Sequence, residues 1–471
     1  MHETESYVSV KLETGSASMN RILIKGATIV TMDEALGELA SGDLLVEGDR
    51  IAAVQPAIDA DAAEVVDGHG RILIPGLVNA HMHTWQTALR GYAANWTLPE
   101  YFGKMHAGLA TLFQPDDIHI ATLVGALNQI NSGTTTLVDW CHNNPTPAHT
   151  DAAVAGLLQS GIRAAFFHGS PKPDPKPGQP HFSELPHPRR EVQRLLDEPF
   201  SNSNGLLTFG LAILGPHYST LDVARHDLAL AREFGVVASM HQGGGPARTP
   251  DGWRILVDEG YVGPGINIVH GNNLTDDELR RFVDLGVSFT ATPENELIQG
   301  HGFPITGRLL RFGAAPSLGV DVESVISGDM FSVMRAALTA QRALDNAAAR
   351  RERDAIPATS TIPVRQGLRW ATVEGARMLG LDHRIGSLTP GKAADLAILN
   401  ATDLNLWPVH DPVSTVVTQA GVCNVEAVMI AGRWKKKNGQ LLFADRAGKL
   451  AALAASGRRI AEAMKEIDKP R

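Results

Sequence analysis

The sequence predicts an α/β protein, a (β/α)8 barrel carrying a small β-sandwich built from both ends of the chain. Three observations predict it. Between residues 78 and 380, strand-length apolar runs alternate eight times with helical stretches, the pattern of a parallel sheet and, at this length, of a closed barrel. The flanking stretches 20–77 and 381–444 read as short strands punctuated by turn residues. A chain of 471 residues also exceeds the size at which one hydrophobic core keeps growing, so a second, smaller body is expected.

Taken in order, residues 1–19 begin Met1-His2-Glu3-Thr4-Glu5 and lack the charged-then-apolar order of a secretion signal, so they read as a loose leader. Strands follow at Ile22-Leu23-Ile24, Ala27 to Thr31, Leu44 to Glu47 and Ile51 to Val54, separated by Gly26, Ser41-Gly42-Asp43 and Gly48-Asp49. Matching strands at Asp395 to Leu399 and Val425 to Ile430 complete the sandwich from the other end. Barrel strands are expected to end near Asn79, Trp140, His168, Pro216, His241, His270, Thr292 and Asp321. Helices are expected over Asp117 to Ile130, Leu221 to Phe234 and Thr275 to Leu285, the last opened by the capping box Thr275-Asp276-Asp277-Glu278. Two more, Gln341 to Arg353 and Pro363 to Leu379, close the barrel. Seven prolines between Pro171 and Pro188 exclude regular structure after the third strand, leaving a lid, a subunit contact or a spacer. Residues 445–471 form a tail whose alanine-rich helix, Asp445 to Lys465, is expected outside both domains, against a neighbouring subunit.

Bulk properties narrow the function. Net charge is -9, from 42 basic and 51 acidic residues, and basic clusters are confined to Arg350-Arg351 and Lys435-Lys436-Lys437, which argues against nucleic acid as a partner. Two cysteines, Cys141 and Cys423, cannot frame a zinc or disulfide scaffold and suit a reducing cytoplasm. No apolar run approaches the roughly 18 residues of a membrane span. A small-molecule substrate is expected.

Histidines carry the chemistry. His81 and His83 follow an apolar run with H-x-H spacing, which sends both imidazoles to one side of a strand. Alone, such a pair is as readily a core or surface feature. Here seven of the 18 histidines, His81, His83, His142, His168, His217, His241 and His270, fall at expected C-terminal strand ends, the rim where barrel enzymes do their chemistry. Asp321 joins them from the eighth strand. Three imidazoles and a carboxylate, His81, His83, His241 and Asp321, suit one divalent transition ion, zinc, iron or cobalt. Such an ion makes hydroxide available near neutral pH. Asp321 is then placed as general base and His270 as the group that polarises the substrate or orients the water. For His142 and His168, plain core roles remain open.

Pro75-Gly76-Leu77-Val78-Asn79-Ala80-His81-Met82-His83, the lone His241, Val269-His270-Gly271 and Gly319-Val320-Asp321 resemble the amidohydrolase superfamily, in its cytosine-deaminase-like and triazine-hydrolase-like branch. The likeness runs from residue 20 to 440 and includes Gly386 through Asp395. Leu214 to Ser219, with His217, and Gln86 to Gly91 match positions that line the substrate pocket in that branch. The resemblance implies a metal-dependent enzyme acting on carbon–nitrogen bonds other than peptide bonds, and a homo-oligomer.

One departure bears on the reaction. In deaminating members a glutamate stands three residues after the strand-five histidine and moves a proton onto the ring; here the segment is His241-Gln242-Gly243-Gly244. Where the family usually has Pro-x-Ser-Asn, this chain has Pro293-Glu294-Asn295-Glu296, so Glu294 or Glu296 either replaces the missing acid or pairs with Arg308 or Arg311. Glu323 is open to the same two readings. Thr292 to Glu296 and Gly328-Asp329-Met330-Phe331 are similar to the subgroup of phenylurea hydrolases and thiocarbamate (molinate) hydrolase. The leading expectation is therefore hydrolysis of a urea, amide or (thio)carbamate, phenylurea-type xenobiotics included, by a water ionised on the metal. The alternative is a deaminase or dechlorinase of a purine, pyrimidine or triazine ring; a third is a catalytically silent binding or scaffold member. Substrate contacts are expected from Trp85, Gln86, His217, Glu294, Asn295, Glu296 and Phe303, with Tyr92, Trp96 and Phe331 as further aromatic lining or core.

Overall fold

The computed structural model describes residues 20–202 and 204–467; the leader expected over residues 1–19 lies outside the described residues. Eight parallel strands form the barrel: Leu77–Met82, Thr134–Cys141, Arg163–Gly169, Leu207–Ile213, Val237–Gln242, Ile266–His270, Ser288–Ala291 and Ser317–Leu318. Each pairs with the next in sequence. A strand covered on both faces must be apolar or internally satisfied throughout, and Thr134–Cys141 is buried at every position.

The ring closes between its last and first strands. Asp321 donates its backbone N–H to the His81 carbonyl at 2.9 Å, and His83 donates to the Asp321 carbonyl at 2.8 Å. Gly319 permits this approach, since a Cβ there would lie 2.7 Å from the His81 carbonyl oxygen and 2.8 Å from its nitrogen. The regular run of the eighth strand stops at Leu318, short of the expected Asp321, which at φ +75° still bridges to Met82 of the first strand. The fourth stops at Ile213 because Gly215–Tyr218 coils into one helical turn.

Helices lie where the spacing predicts them. Leu221–Phe234 matches its expected bounds, and Asp276–Asp284 starts at the capping box, with Glu278 N–H donating to Thr275 Oγ1 at 3.2 Å and Thr275 N–H to Glu278 Oε2 at 2.7 Å. The helix expected from Gln341 begins eleven residues earlier, at Met330, because Asp329 caps it by accepting from Ser332 N–H at 2.9 Å.

Strands from both chain ends join one nine-stranded mixed sheet. Its joint is the antiparallel pairing of Arg71–Pro75 with Leu396–Asn400, Leu73 opposite Ile398. Ile22, Ile29, Leu44, Ile51, Leu396 and Met429 pack into the sheet's own apolar core. A buried ion pair ties sheet to barrel: Arg163, opening the third barrel strand, donates to Asp395 at 2.6 and 3.2 Å, and Asp395 also accepts from Ala431 N–H at 2.7 Å.

The terminal helix Arg446–Ile467 packs on its own barrel, where the sequence reading set it outside both domains against a neighbour. Leu453, Ile460 and Met464 form a buried stripe at helical spacing. Ser456 donates to Asp117 at 2.6 Å, and Arg459 pairs with the same carboxylate. No helix among the described residues is long and apolar enough to cross a membrane.

Removing one member of a buried ion pair leaves the other uncompensated. Arg163→Met is therefore expected to lower the unfolding free energy by about 3–5 kcal/mol, read from urea titration with both sheet and barrel probes.

Candidate metal centre

His81 sits within the first barrel strand and His83 one residue past its end, so both rings enter the barrel mouth. Asn79 fixes the turn, its Oδ1 accepting from His81 N–H at 3.3 Å and from Val320 N–H at 3.1 Å. His83 Nδ1–H donates to the Trp140 carbonyl at 2.7 Å, which leaves Nε2 as the free lone pair. His241 comes from the fifth strand and Asp321 from the turn after the eighth.

One ligand atom from each of His81, His83, His241 and Asp321 lies within 4.8 Å of all the others. His81 Nε2 and His241 Nε2 face each other at 3.2 Å, and Asp321 Oδ1 lies 3.4 Å from His81 Nε2 and 3.3 Å from His83 Nε2. Burial pushes His81 down to about 3 and His241 well below the imidazole range, so both rings are neutral. Burial would raise the Asp321 carboxyl, but its contacts with His81 and His83 hold it well below the usual carboxylate range. Converging lone pairs around a carboxylate repel unless a cation lies between them. The donor set therefore fits a divalent ion.

Around these ligands lies a second set of contacts. Asn295 Nδ2 donates to Asp321 Oδ2 at 2.7 Å. His270 ends the sixth strand with φ +69°, its Nε2 3.8 Å from Asp321 Oδ2 and its Nδ1 3.2 Å from Glu296 Oε1. Glu296, fully buried, also accepts from Thr292 N–H at 2.9 Å and Asn272 Nδ2 at 3.2 Å. Non-glycine residues at positive φ cost energy and persist where the surroundings enforce them; here they are His270 and Asp321.

The cavity above the cluster encloses about 410 Å³ of space when its solvent-open part is counted. His83, His241, His270, Asn295 and Asp321 form its floor; Tyr101, Phe102 and Tyr218 form an aromatic wall. His142 lines it too, 3.3 Å from His106, whereas His168 turns away to His187 at 2.9 Å.

Several expected substrate contacts stand elsewhere. Trp85 is buried behind the wall against Phe113, and Gln86 is hydrogen-bonded to the Tyr101 hydroxyl and Ser324. His217 lies 3.4 Å from the Gln242 amide nitrogen, away from the lining. Phe303 is 59% exposed and outside the cavity. Glu294 looks toward Asp329 and Arg335, while Glu296 stands behind His270. Arg308 and Arg311 pair with Asp276 instead of either glutamate. Glu323 is a structural anchor for Thr87, Arg90 and Asn128. Tyr92 and Trp96 pack on each other, and Phe331 is in the core. Tyr218, from the stretch Leu214 to Ser219, lines the site as expected, and so do residues that carry no such signal in the sequence: Lys172, His106, His301, Tyr101 and Phe102. Their segments carry no periodic signal that would aim a side chain at the barrel mouth.

Residues 72–435 match the profile of the Amidohydrolase family. The chain belongs to the amidohydrolase family. Relatives of this amidohydrolase include the 5'-deoxyadenosine deaminase of Methanothermobacter thermautotrophicus, 28% identical over 89% of this chain and 94% of that one. The 5-methylthioadenosine/S-adenosylhomocysteine deaminase of Symbiobacterium thermophilum is 28% identical over 88% and 93%. Among solved structures, zinc-bound atrazine chlorohydrolase of Arthrobacter aurescens superposes with a TM-score of 0.80 at 24% identity, over 93% of this chain and 100% of that one. An adenosine deaminase from Xanthomonas campestris with bound zinc gives 0.77 at 25% identity, over 94% and 98%. The protein is thus a metal-dependent hydrolase of carbon–nitrogen bonds whose four clustered ligands suit one divalent ion.

His83→Ala is expected to lower metal content at least about tenfold in dialysed protein and to abolish turnover with it. Glu296→Gln removes the carboxylate that orients His270 while leaving the four ligands intact. Full metal content with turnover slowed about 10–100-fold is expected, read by elemental analysis beside steady-state kinetics.

Proposed function

We propose that the enzyme hydrolyses an exocyclic substituent, an amine first, from a nitrogen heteroaromatic ring of the purine, pyrimidine or triazine class. The observation that carries this reading is likeness along nearly the whole chain to deaminases acting on adenosine-type compounds. The aromatic wall of Tyr101, Phe102 and Tyr218 supports it, since such a wall suits a flat ring. His81, His83, His241 and Asp321 hold the ion, and zinc is the proposed species. Bound there, the ion supplies Lewis acidity that acidifies water and polarises the scissile bond. Asp321 takes a proton from the attacking water through Oδ2, the oxygen that Asn295 steadies, and passes it to the departing nitrogen. His270, with its Nδ1–H directed at Glu296, offers Nε2 to orient that water or the substrate's acceptor.

A second reading is favoured by Gly244. Among the described residues, Asp321 is the one carboxylate lining the cavity, so a separate carboxylic acid for ring protonation is missing. A urea, amide or (thio)carbamate does without it, because its carbonyl is polarised directly and Asp321 protonates the leaving atom. Phenylureas belong to this second class.

The products separate the two. On purine nucleosides and triazines the first reading expects ammonia, or the halide of a chlorotriazine, with the ring intact; on phenylureas the second expects an aniline and carbon dioxide. A kcat/KM of at least about 10⁴ M⁻¹s⁻¹ marks a true substrate. Asp321→Asn is expected to reduce turnover about 10²–10⁴-fold with either class. Release of aniline from phenylureas with neither ammonia nor halide from the ring panel overturns the first reading.

A further inference from the structure

Lys172 is the cavity's unexplained charge. It stands between Pro171 and Pro173 in the loop after the third barrel strand, a segment whose backbone the prolines stiffen. Despite its charge it is only 6% exposed, and it lines the same cavity as the metal ligands. Its ammonium makes no hydrogen bond or ion pair with any described residue. Three rings surround it instead, with Nζ 5.3 Å from the Tyr218 centroid, 5.6 Å from Trp140 and 5.9 Å from Phe102.

Ring faces offset only part of the cost of taking an ammonium out of water; buried charges are normally paired. The one carboxylate lining the cavity, Asp321, attracts the ammonium across the cavity but forms no ion pair with it. Asp321 is engaged by His81, His83 and Asn295. The nearest lining histidines, His106 and His142, are kept neutral by burial and bring no negative charge to balance it. Burial also pushes Lys172 down, to about 8, which still leaves it mostly protonated at neutral pH. The cavity is thus built around a cation whose partner must come from outside the chain.

Its position says where that partner lies. Trp140 joins the two sites: one face receives Lys172, and its ring centroid is 4.3 Å from that of His241. Tyr218 joins Lys172 to the glycine turn, since a Cβ at Gly244 would lie 3.1 Å from the Tyr218 hydroxyl. An anion on Lys172 therefore sits on the strand-five side, next to the metal ligands and against the aromatic wall.

We propose that Lys172 is the specificity-determining residue of this cavity, and that the substrate carries a carboxylate or equivalent anionic oxygen beside its reacting ring. The inference rests on the cavity being the substrate site of the hydrolase proposed above, and not on which bond is cleaved. Its test reads binding without turnover, so failure of the reaction assignment would show in product analysis and leave it standing.

Metal-loaded protein is titrated calorimetrically with benzoate and with benzamide, its neutral counterpart. Benzoate is expected to bind at least about tenfold more tightly, as a charge-assisted hydrogen bond warrants. Lys172→Met should weaken benzoate at least about tenfold while leaving benzamide within about threefold, and Lys172→Arg should retain most of the benzoate affinity. Metal content and melting midpoint establish that each variant is folded; if Lys172→Met does not load metal, Lys172→Gln is read in its place. A folded, metal-loaded variant that binds benzoate as tightly as the native protein overturns the proposal, since the anion would then be on the metal alone. Absence of a benzoate preference in the native protein overturns it regardless of the variants.

Discussion

Two backbone hydrogen bonds, Asp321 N–H to the His81 carbonyl and His83 N–H to the Asp321 carbonyl, hold the site together. They close the barrel and, in the same stroke, bring the carboxylate of the last strand against the histidines of the first. Side-chain geometry here is inherited from main-chain geometry. Asp321 accepts a left-handed backbone to make the turn, and Gly319 removes the Cβ that would hold the strands apart. A ligand set on flexible loops would have to be ordered at entropic cost when the ion arrives; a set fixed by barrel closure has met that cost in folding.

Burial does the rest of the work. His81 and His241, held neutral by desolvation, stay available as ligands below the usual imidazole range, and a carboxylate kept ionised by its histidine neighbours balances part of the incoming charge. The same desolvation that makes His81 and His241 good ligands makes an unmetallated cluster an unfavourable arrangement. Fold and metal are therefore coupled. Asn295 and Glu296 belong to this logic: one fixes a carboxylate oxygen, the other a ring, and neither has to touch substrate to matter.

The ligand set was legible because strand period and strand-end position are simple functions of sequence: H-x-H after an apolar run, a histidine ending the fifth strand and an aspartate following Gly319-Val320 can converge in a parallel barrel. Roles set by loop path were not legible. Lys172 looks like one more charge in a proline-rich spacer until the loop is seen to fold inward, and Phe303 looks like a pocket aromatic until it is seen exposed. Glu294 and Glu296 stand two residues apart, so the helix Pro293–Gln299 turns one toward Asp329 and Arg335 and the other behind His270. The partner of the terminal helix is hidden in the sequence for a related reason. Its apolar stripe is sparse, and a sparse stripe does not say whether its partner is another copy or the chain's own barrel.

Gly244 ties these threads together. The run Gly243-Gly244-Gly245 has φ of +132°, +86° and +106°, a path that side-chain-bearing residues rarely adopt. A Cβ at Gly244 would lie 2.6 Å from a Leu98 methyl as well as close to Tyr218. Leu98 and Tyr218 both line the cavity, so the space a side chain at this position would need is already occupied by the pocket wall. The absent acid is thus a property of the whole strand-five turn rather than of one codon, and restoring it would strain the backbone and displace the wall together. With that side of the cavity closed to a carboxyl, Lys172 is the ionic group left there. A site that lacks an acid and keeps a cation is electrostatically inverted at that wall, and it selects ligands by the charge they bring.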